Sequence, residues 1–182
     1  MEPERKGRLP VVGVIGSGNE PHTAKAEPLG EWLARQGVHL LTGGGGGVME
    51  SVSRAFHDVP DRRGLVIGII PGTAGEGRCN PKAGYPNRYV EIPIFTHLPL
   101  SGRLGTDPMS RNHINILSSD VLVALPGAAG TESEMALAVR YGTPVILFSD
   151  RRDDGMEAPP DVPVTEDFGK VKEFVLAVIE NK

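Results

Sequence analysis

The sequence is short of the features that mark several large protein classes. One cysteine, Cys79, stands in 182 residues, so no internal disulfide can form. A reducing compartment is the natural setting for such a chain, and a cytoplasmic location is expected. The stretch 1–8 is charged and lacks the apolar core of a secretory leader. No apolar run reaches the roughly 20 residues of a membrane-spanning helix, so no membrane partner is expected. Positive charge is not in excess: 19 basic against 23 acidic residues leave a formal charge of −4. That disfavours a nucleic-acid polymer, whose phosphates call for a basic face. A small anion remains possible, because local backbone amides can bind one without net positive charge. The five histidines show no metal-ligand spacing, and no metal site is expected.

Two nucleotide signatures are missing as well. The Walker pattern needs Gly-Lys-Ser or Gly-Lys-Thr after its glycine loop, and no such triplet occurs. A dinucleotide fingerprint follows the first strand, whereas the densest glycine run here follows the second. A P-loop NTPase and an NAD dehydrogenase are therefore disfavoured.

What the chain does have is regular alternation. Apolar runs at 11–15, 38–42, 65–70, 121–125 and 144–148 read as buried strands, with a further short strand at 89–94. Helices are expected over 23–36, 48–57, 110–118, 131–141 and 168–179. Pro28 either kinks the first helix or marks its true first turn, and Gly37 is a C-terminal stop. Segments 73–88 and 151–164 read as loops. Residues 1–9 are expected as a flexible leader to one domain, 10–182. This pattern predicts an α/β fold with a doubly wound, mostly parallel sheet covered on both faces. Right-handed crossovers gather the strand-to-helix turns at one edge, where open α/β sheets bind ligands.

Three turns destined for that edge are unusually small. They are Gly16-Ser17-Gly18-Asn19, the run Gly43, Gly44, Gly45, Gly46 and Gly47, and the stretch Pro126, Gly127, Ala128, Ala129, Gly130 and Thr131. The last joins an apolar strand to an acidic helix start. A helix N-terminus offers unpaired N–H groups to a phosphate or carboxylate, and small residues let the ligand approach the backbone. Five consecutive glycines exceed what a turn requires, although a tight turn alone would also use some of them. Ser17 could donate to a phosphate or cap the first helix. Arg111 is the candidate charged clamp, since a guanidinium binds phosphate bidentately. A surface ion pair is the plain alternative. Asn115, four residues on, shares its helix face. Glu134 could stabilise positive charge developing at a glycosidic carbon. It equally fits a capping box, with Thr131 as the cap and Glu134 three residues later. Cys79 reads as an inert surface thiol, and 150–154 as a solvated charged loop.

The segment from Pro126 to Glu134 resembles the Pro-Gly-Gly-x-Gly-Thr-x-x-Glu signature of the LONELY GUY proteins and their relatives. Gly43 to Met49 is similar to that superfamily's glycine turn and Gly-Val-Met helix start, and Arg111 stands where its signature arginine does. The resemblance spans about 11–148. It implies a Rossmann-like fold, a homodimer or homotetramer, and a pocket for a phosphorylated molecule. The enzymes of the superfamily release a nucleobase from nucleoside 5′-monophosphates, with an arginine and a glutamate, here Arg111 and Glu134, in catalytic positions. The run Arg111-Asn112-His113-Ile114-Asn115-Ile116-Leu117-Ser118-Ser119 resembles the molybdenum cofactor carriers more closely. Asn112 stands where the enzymes usually have lysine, Ala128 replaces the second signature glycine, and the glycine turn is one residue shorter. No cofactor is required on this reading, but the molybdenum cofactor is possible as bound cargo. Old labels of the superfamily as lysine decarboxylases find no support, since nothing marks a cofactor lysine. Two functions follow as expectations: binding of a small phosphorylated ligand, or phosphoribohydrolase activity on nucleoside monophosphates. An oligomeric interaction module without a ligand is the third reading.

Overall fold

The computed structural model describes residues 7–73, 81–150 and 156–181. Cys79, leader residues 1–6 and most of the charged loop 150–154 lie outside the described residues. The chain runs through β1 (Val11–Ile15), α1 (Thr23–Arg35), β2 (His39–Thr42), α2 (Val48–His57) and β3 (Val66–Ile70). β4 (Ile92–Phe95), a short 3-10 helix (Gly102–Leu104) and α3 (Asn112–Leu117) come next. β5 (Val121–Ala124), α4 (Ala129–Tyr141), β6 (Val145–Phe148), β7 (Val164–Thr165) and α5 (Phe168–Ile179) follow.

All seven strands form one sheet in the order β4-β3-β2-β1-β5-β6-β7, and every strand pairing is parallel. The order reverses between β1 and β5, so a crevice opens beyond their carboxyl ends. Their register pairs Ile15 with Ala124, which brings the turns after both strands side by side. At the opposite end, Arg8 pairs with Asp120 at 2.7 Å, and the Val11 amide donates to Asp120 Oδ2 at 2.8 Å.

Central strands with two covered faces need apolar residues at every position, and β1 and β5 are buried throughout. One face carries Leu29 and Leu33 of α1, Val52 and Phe56 of α2, and Val171 and Val175 of α5. The other carries Ile116 of α3 with Met135, Leu137 and Ala138 of α4. The doubly wound arrangement expected from the alternation is therefore present.

Several local expectations need correction. β7 lies at the end of a segment read as loop, because a two-residue strand displays no alternation to detect. β4 begins later than its apolar run, since Tyr89 and Val90 belong to a turn closed by Val90 N–H donating to Asn87 O. Pro28 sits inside α1, beyond the first turn, so it does not start the helix. The helix after β5 starts at Ala129 rather than Thr131, with Ala128 in the cap position and no side-chain cap. The capping box of Thr131 and Glu134 therefore does not form.

Gly30 decides how closely α1 and α2 approach. A Cβ there would stand 2.5 Å from Val52 O and 3.0 Å from the Ala55 Cβ. Alanine would add about 1 kcal/mol of intrinsic helix preference. Forcing a methyl against backbone costs typically 1–3 kcal/mol, so the clash outweighs the gain. Gly30→Ala is expected to lower the thermal midpoint, while Glu31→Ala, an exposed neighbour, leaves it within about 0.5 kcal/mol in a denaturation series.

Candidate functional site

Three turns at the carboxyl edge are stitched together by backbone bonds. Ser17 N–H donates to Pro126 O at 3.0 Å, and Val48 N–H donates to Ser17 O at 2.9 Å. The turn after β1 is thus fixed both to the turn after β5 and to the start of α2. Glycine is required at these junctions. Gly47 has φ +59°, and a Cβ on it would lie 2.3 Å from Ser17 O. A Cβ on Gly127 would lie 2.0 Å from Thr131 Oγ1. Ser17 does not cap α1, which starts at Thr23; its Oγ accepts from the amides of Asn19 (3.2 Å) and Glu20 (2.9 Å). Accepting those bonds leaves the hydroxyl proton free to donate.

A cavity of about 210 Å³ lies above these turns. Of the residues proposed from sequence, Gly16, Ser17, Gly18, Gly43, Met49, Arg111, Ala128, Gly130, Thr131 and Glu134 line it. Gly44, Gly45, Gly46 and Gly47 do not line it, nor do Asn115, Pro126, Gly127 and Ala129. The lining also includes Asn19, the end of the first small turn, and Tyr85, Ser101, Gly102 and Asn112, which the sequence reading did not select. Asn112 adjoins Arg111, and that adjacency was the available signal. Tyr85, Ser101 and Gly102 come from irregular segments whose position has no periodic trace.

Arg111 is buried, with 5% of its surface exposed. Its guanidinium rests on Gly43, where a Cβ would come within 2.4 Å of Nη2 and 2.5 Å of Nη1. Glycine is therefore needed at 43 to admit the cation. Nε and Nη1 are buried and have no hydrogen-bond partner. Burying a charged donor unpaired costs several kcal/mol, and a bound anion would remove that cost. The plain reading of Arg111 as a surface ion pair does not hold.

Glu134 is also buried. Asn115 Nδ2 donates to its Oε1 at 3.1 Å, and Asn115 Oδ1 is buried without a partner. Burial raises the Glu134 pKa above its ordinary value of 4.5; the charge of Arg111 and the Asn115 bond oppose the rise without cancelling it. Released from any capping role, the carboxyl group faces the same cavity as the guanidinium. The first turn of α4 adds the amide of Gly130, which donates to no group among the described residues. The opposing wall is the 3-10 helix, held to α4 by Ser133 Oγ donating to Gly102 O at 2.9 Å. No cluster of three metal-ligating side chains occurs among the described residues.

The raised Glu134 pKa has a testable sign. The unfolded chain ionises this group near 4.5, and the folded protein only at higher pH. Stability associated with the protonated carboxyl is complete below 4.5 and is lost as pH rises through the folded value. Glu134→Gln should match the wild type in acid and become relatively more stable as pH rises. Thermal midpoints of both proteins measured across that range check this, and a constant difference would refute it.

Comparison with known proteins places this geometry in context. The model of the SLOG cluster4 family matches residues 9–162. An uncharacterised protein of Archaeoglobus fulgidus is 33% identical over 137 residues, covering 74% of this chain and 77% of the relative. Among solved structures, the molybdenum cofactor binding protein of Rippkaea orientalis superposes with TM-score 0.70 at 30% identity, covering 95% of this chain and 99% of its own. The molybdenum cofactor carrier protein of Chlamydomonas reinhardtii superposes with TM-score 0.66 at 30% identity, covering 92% and 99%. With a family model spanning most of its length and a fold shared end to end with these carriers, the chain belongs to the SLOG cluster4 family.

Proposed function

We propose that the protein binds a small phosphorylated molecule in the cavity at the β1–β5 crevice. The observation that carries this reading is the buried Arg111 guanidinium with unpartnered Nε and Nη1 on the cavity wall. An oxyanion accepts bidentately from such a fork. The free Gly130 amide at the start of α4 and the Ser17 hydroxyl offer further donors at the same cavity. The similar carriers of Rippkaea orientalis and Chlamydomonas reinhardtii bind molybdenum cofactor, so that cofactor is the first cargo to consider. A homodimer or homotetramer, a cytoplasmic location and one domain over 10–182 go with this proposal.

A second reading is favoured by one observation: Glu134 is free of helix capping and stands with Arg111 on the cavity. A carboxylate beside a bound ribose phosphate is the arrangement a phosphoribohydrolase uses to stabilise an oxocarbenium-like transition state. On that reading Arg111 holds the phosphate and Glu134 faces the anomeric carbon.

Calorimetry with phosphate-bearing pterin cofactor and with AMP separates the two. Binding of the pterin supports the carrier reading; binding of AMP with none of the pterin sinks it. Arg111→Ala should weaken whichever ligand binds by roughly ten- to hundred-fold, the loss of about 1.5–3 kcal/mol for a charged hydrogen bond. If AMP is turned over, free base and ribose 5-phosphate will appear by chromatography, and Glu134→Gln should abolish them. Unchanged affinity in Arg111→Ala would refute the anion site.

A further inference from the structure

The cavity is small for what it is proposed to hold. About 210 Å³ falls below the roughly 300 Å³ at which pockets for whole small molecules begin. A phosphate and its sugar or linker would fill it, and the rest of the ligand would emerge at the rim. Tyr85 stands on that rim, half-buried and lining the cavity.

The ring is held there by a dedicated contact. Cβ built on Gly45 would meet Cζ and Oη of Tyr85 at 2.7 Å and Cε1 at 2.8 Å. Near-equal distances to the hydroxyl oxygen and two adjacent ring carbons place that point out of the ring plane, above the phenolic end. The phenolic end of Tyr85 is therefore backed on one side by Gly45, which has no Cβ to push it away. The segment is clamped from the next residues: Asn87 N–H donates to Gly44 O at 2.7 Å, and Asn87 Nδ2 donates to Gly45 O at 2.8 Å. No aromatic ring or cationic side chain among the described residues packs on Tyr85. A fixed aromatic ring with one face supported and none of these covering the other is a stacking platform.

We infer that Tyr85 is a specificity-determining residue that stacks a flat nitrogen heterocycle carried by the phosphorylated ligand. The inference rests on the phosphate reading above and adds the chemical class of the ligand's other end. Phosphate anchoring alone would accept any phosphorylated small molecule. The platform favours those with a planar ring a short linker away.

The test compares ribose 5-phosphate, which has the anchor only, with AMP, GMP and neopterin monophosphate, which add a flat ring. At least one ring-bearing ligand should bind the wild-type protein about tenfold or more tightly than ribose 5-phosphate, the scale of one stacked base. Tyr85→Ala should erase that advantage, bringing ring-bearing ligands down to the affinity of ribose 5-phosphate, whereas Tyr85→Phe should keep it. Ring stacking should also lower the ultraviolet absorbance of the bound heterocycle in wild type and Tyr85→Phe, and not in Tyr85→Ala. If Tyr85→Ala weakens ribose 5-phosphate as well, the loop has been disturbed and Tyr85→Leu decides: an advantage equal to that of Tyr85→Phe overturns stacking, and its loss supports stacking. Ring-bearing ligands that bind no better than ribose 5-phosphate overturn this inference and leave the phosphate site standing. Failure of all four to bind overturns both.

Discussion

A guanidinium buried against bare backbone, with two of its nitrogens unpartnered, is the constraint around which the carboxyl edge is arranged. Arg111 can lie where it does only because residue 43 has no side chain, and only because α3 begins directly after it. Left alone, the charge would cost several kcal/mol. Glu134 offsets part of that cost through its opposite charge, yet it too is buried, and its own ionisation is held back by desolvation. Neither group neutralises the other outright. Their incomplete match leaves a site with spare hydrogen-bond donors and a titratable carboxyl, an arrangement that stability alone would not select.

Everything nearby serves to hold that mismatch in place. The Ser17 backbone bonds to both Pro126 and Val48, so the turns after β1 and β5 and the start of α2 form one rigid rim. Asn115 reaches from α3 to fix the Glu134 carboxyl on α4. The 3-10 helix docks on α4 through Ser133 and closes the far wall. Donors preorganised in this way cost no reorganisation when an anion arrives.

How much of this was legible in the sequence follows from how local each cause is. The strands β1, β3, β5 and β6 and helices α1, α2 and α5 write their burial into apolar runs and periodicity, and were read close to their ends. Arg111 could be singled out because a guanidinium suits a phosphate and because it stands where the resembling superfamily has its signature arginine. The freedom of Glu134 was not, because Thr131-x-x-Glu134 fits a capping box, while the Pro-Gly turn lets α4 begin at Ala129 and leaves the box without a cap position. Tyr85 was hidden more deeply. Its place depends on Asn87 gripping Gly44 and Gly45, a contact between segments about forty residues apart. β7 is too short to carry any pattern.

The glycine run shows the same lesson in reverse. Five glycines suggested direct contact between ligand and backbone, yet only Gly43 reaches the cavity wall. Gly44 and Gly47 are fixed by positive φ, of 74° and 59°. A Cβ on Gly46 would press within 3.2 Å of Gly18 O. Gly43 and Gly45 make room for two side chains, the Arg111 guanidinium and the Tyr85 ring. The run acts mainly by what it admits to the cavity: the charge of Arg111 and the ring of Tyr85. A loop of small residues can therefore shape a cavity while lining little of it, because the absence of Cβ atoms lets distant side chains converge.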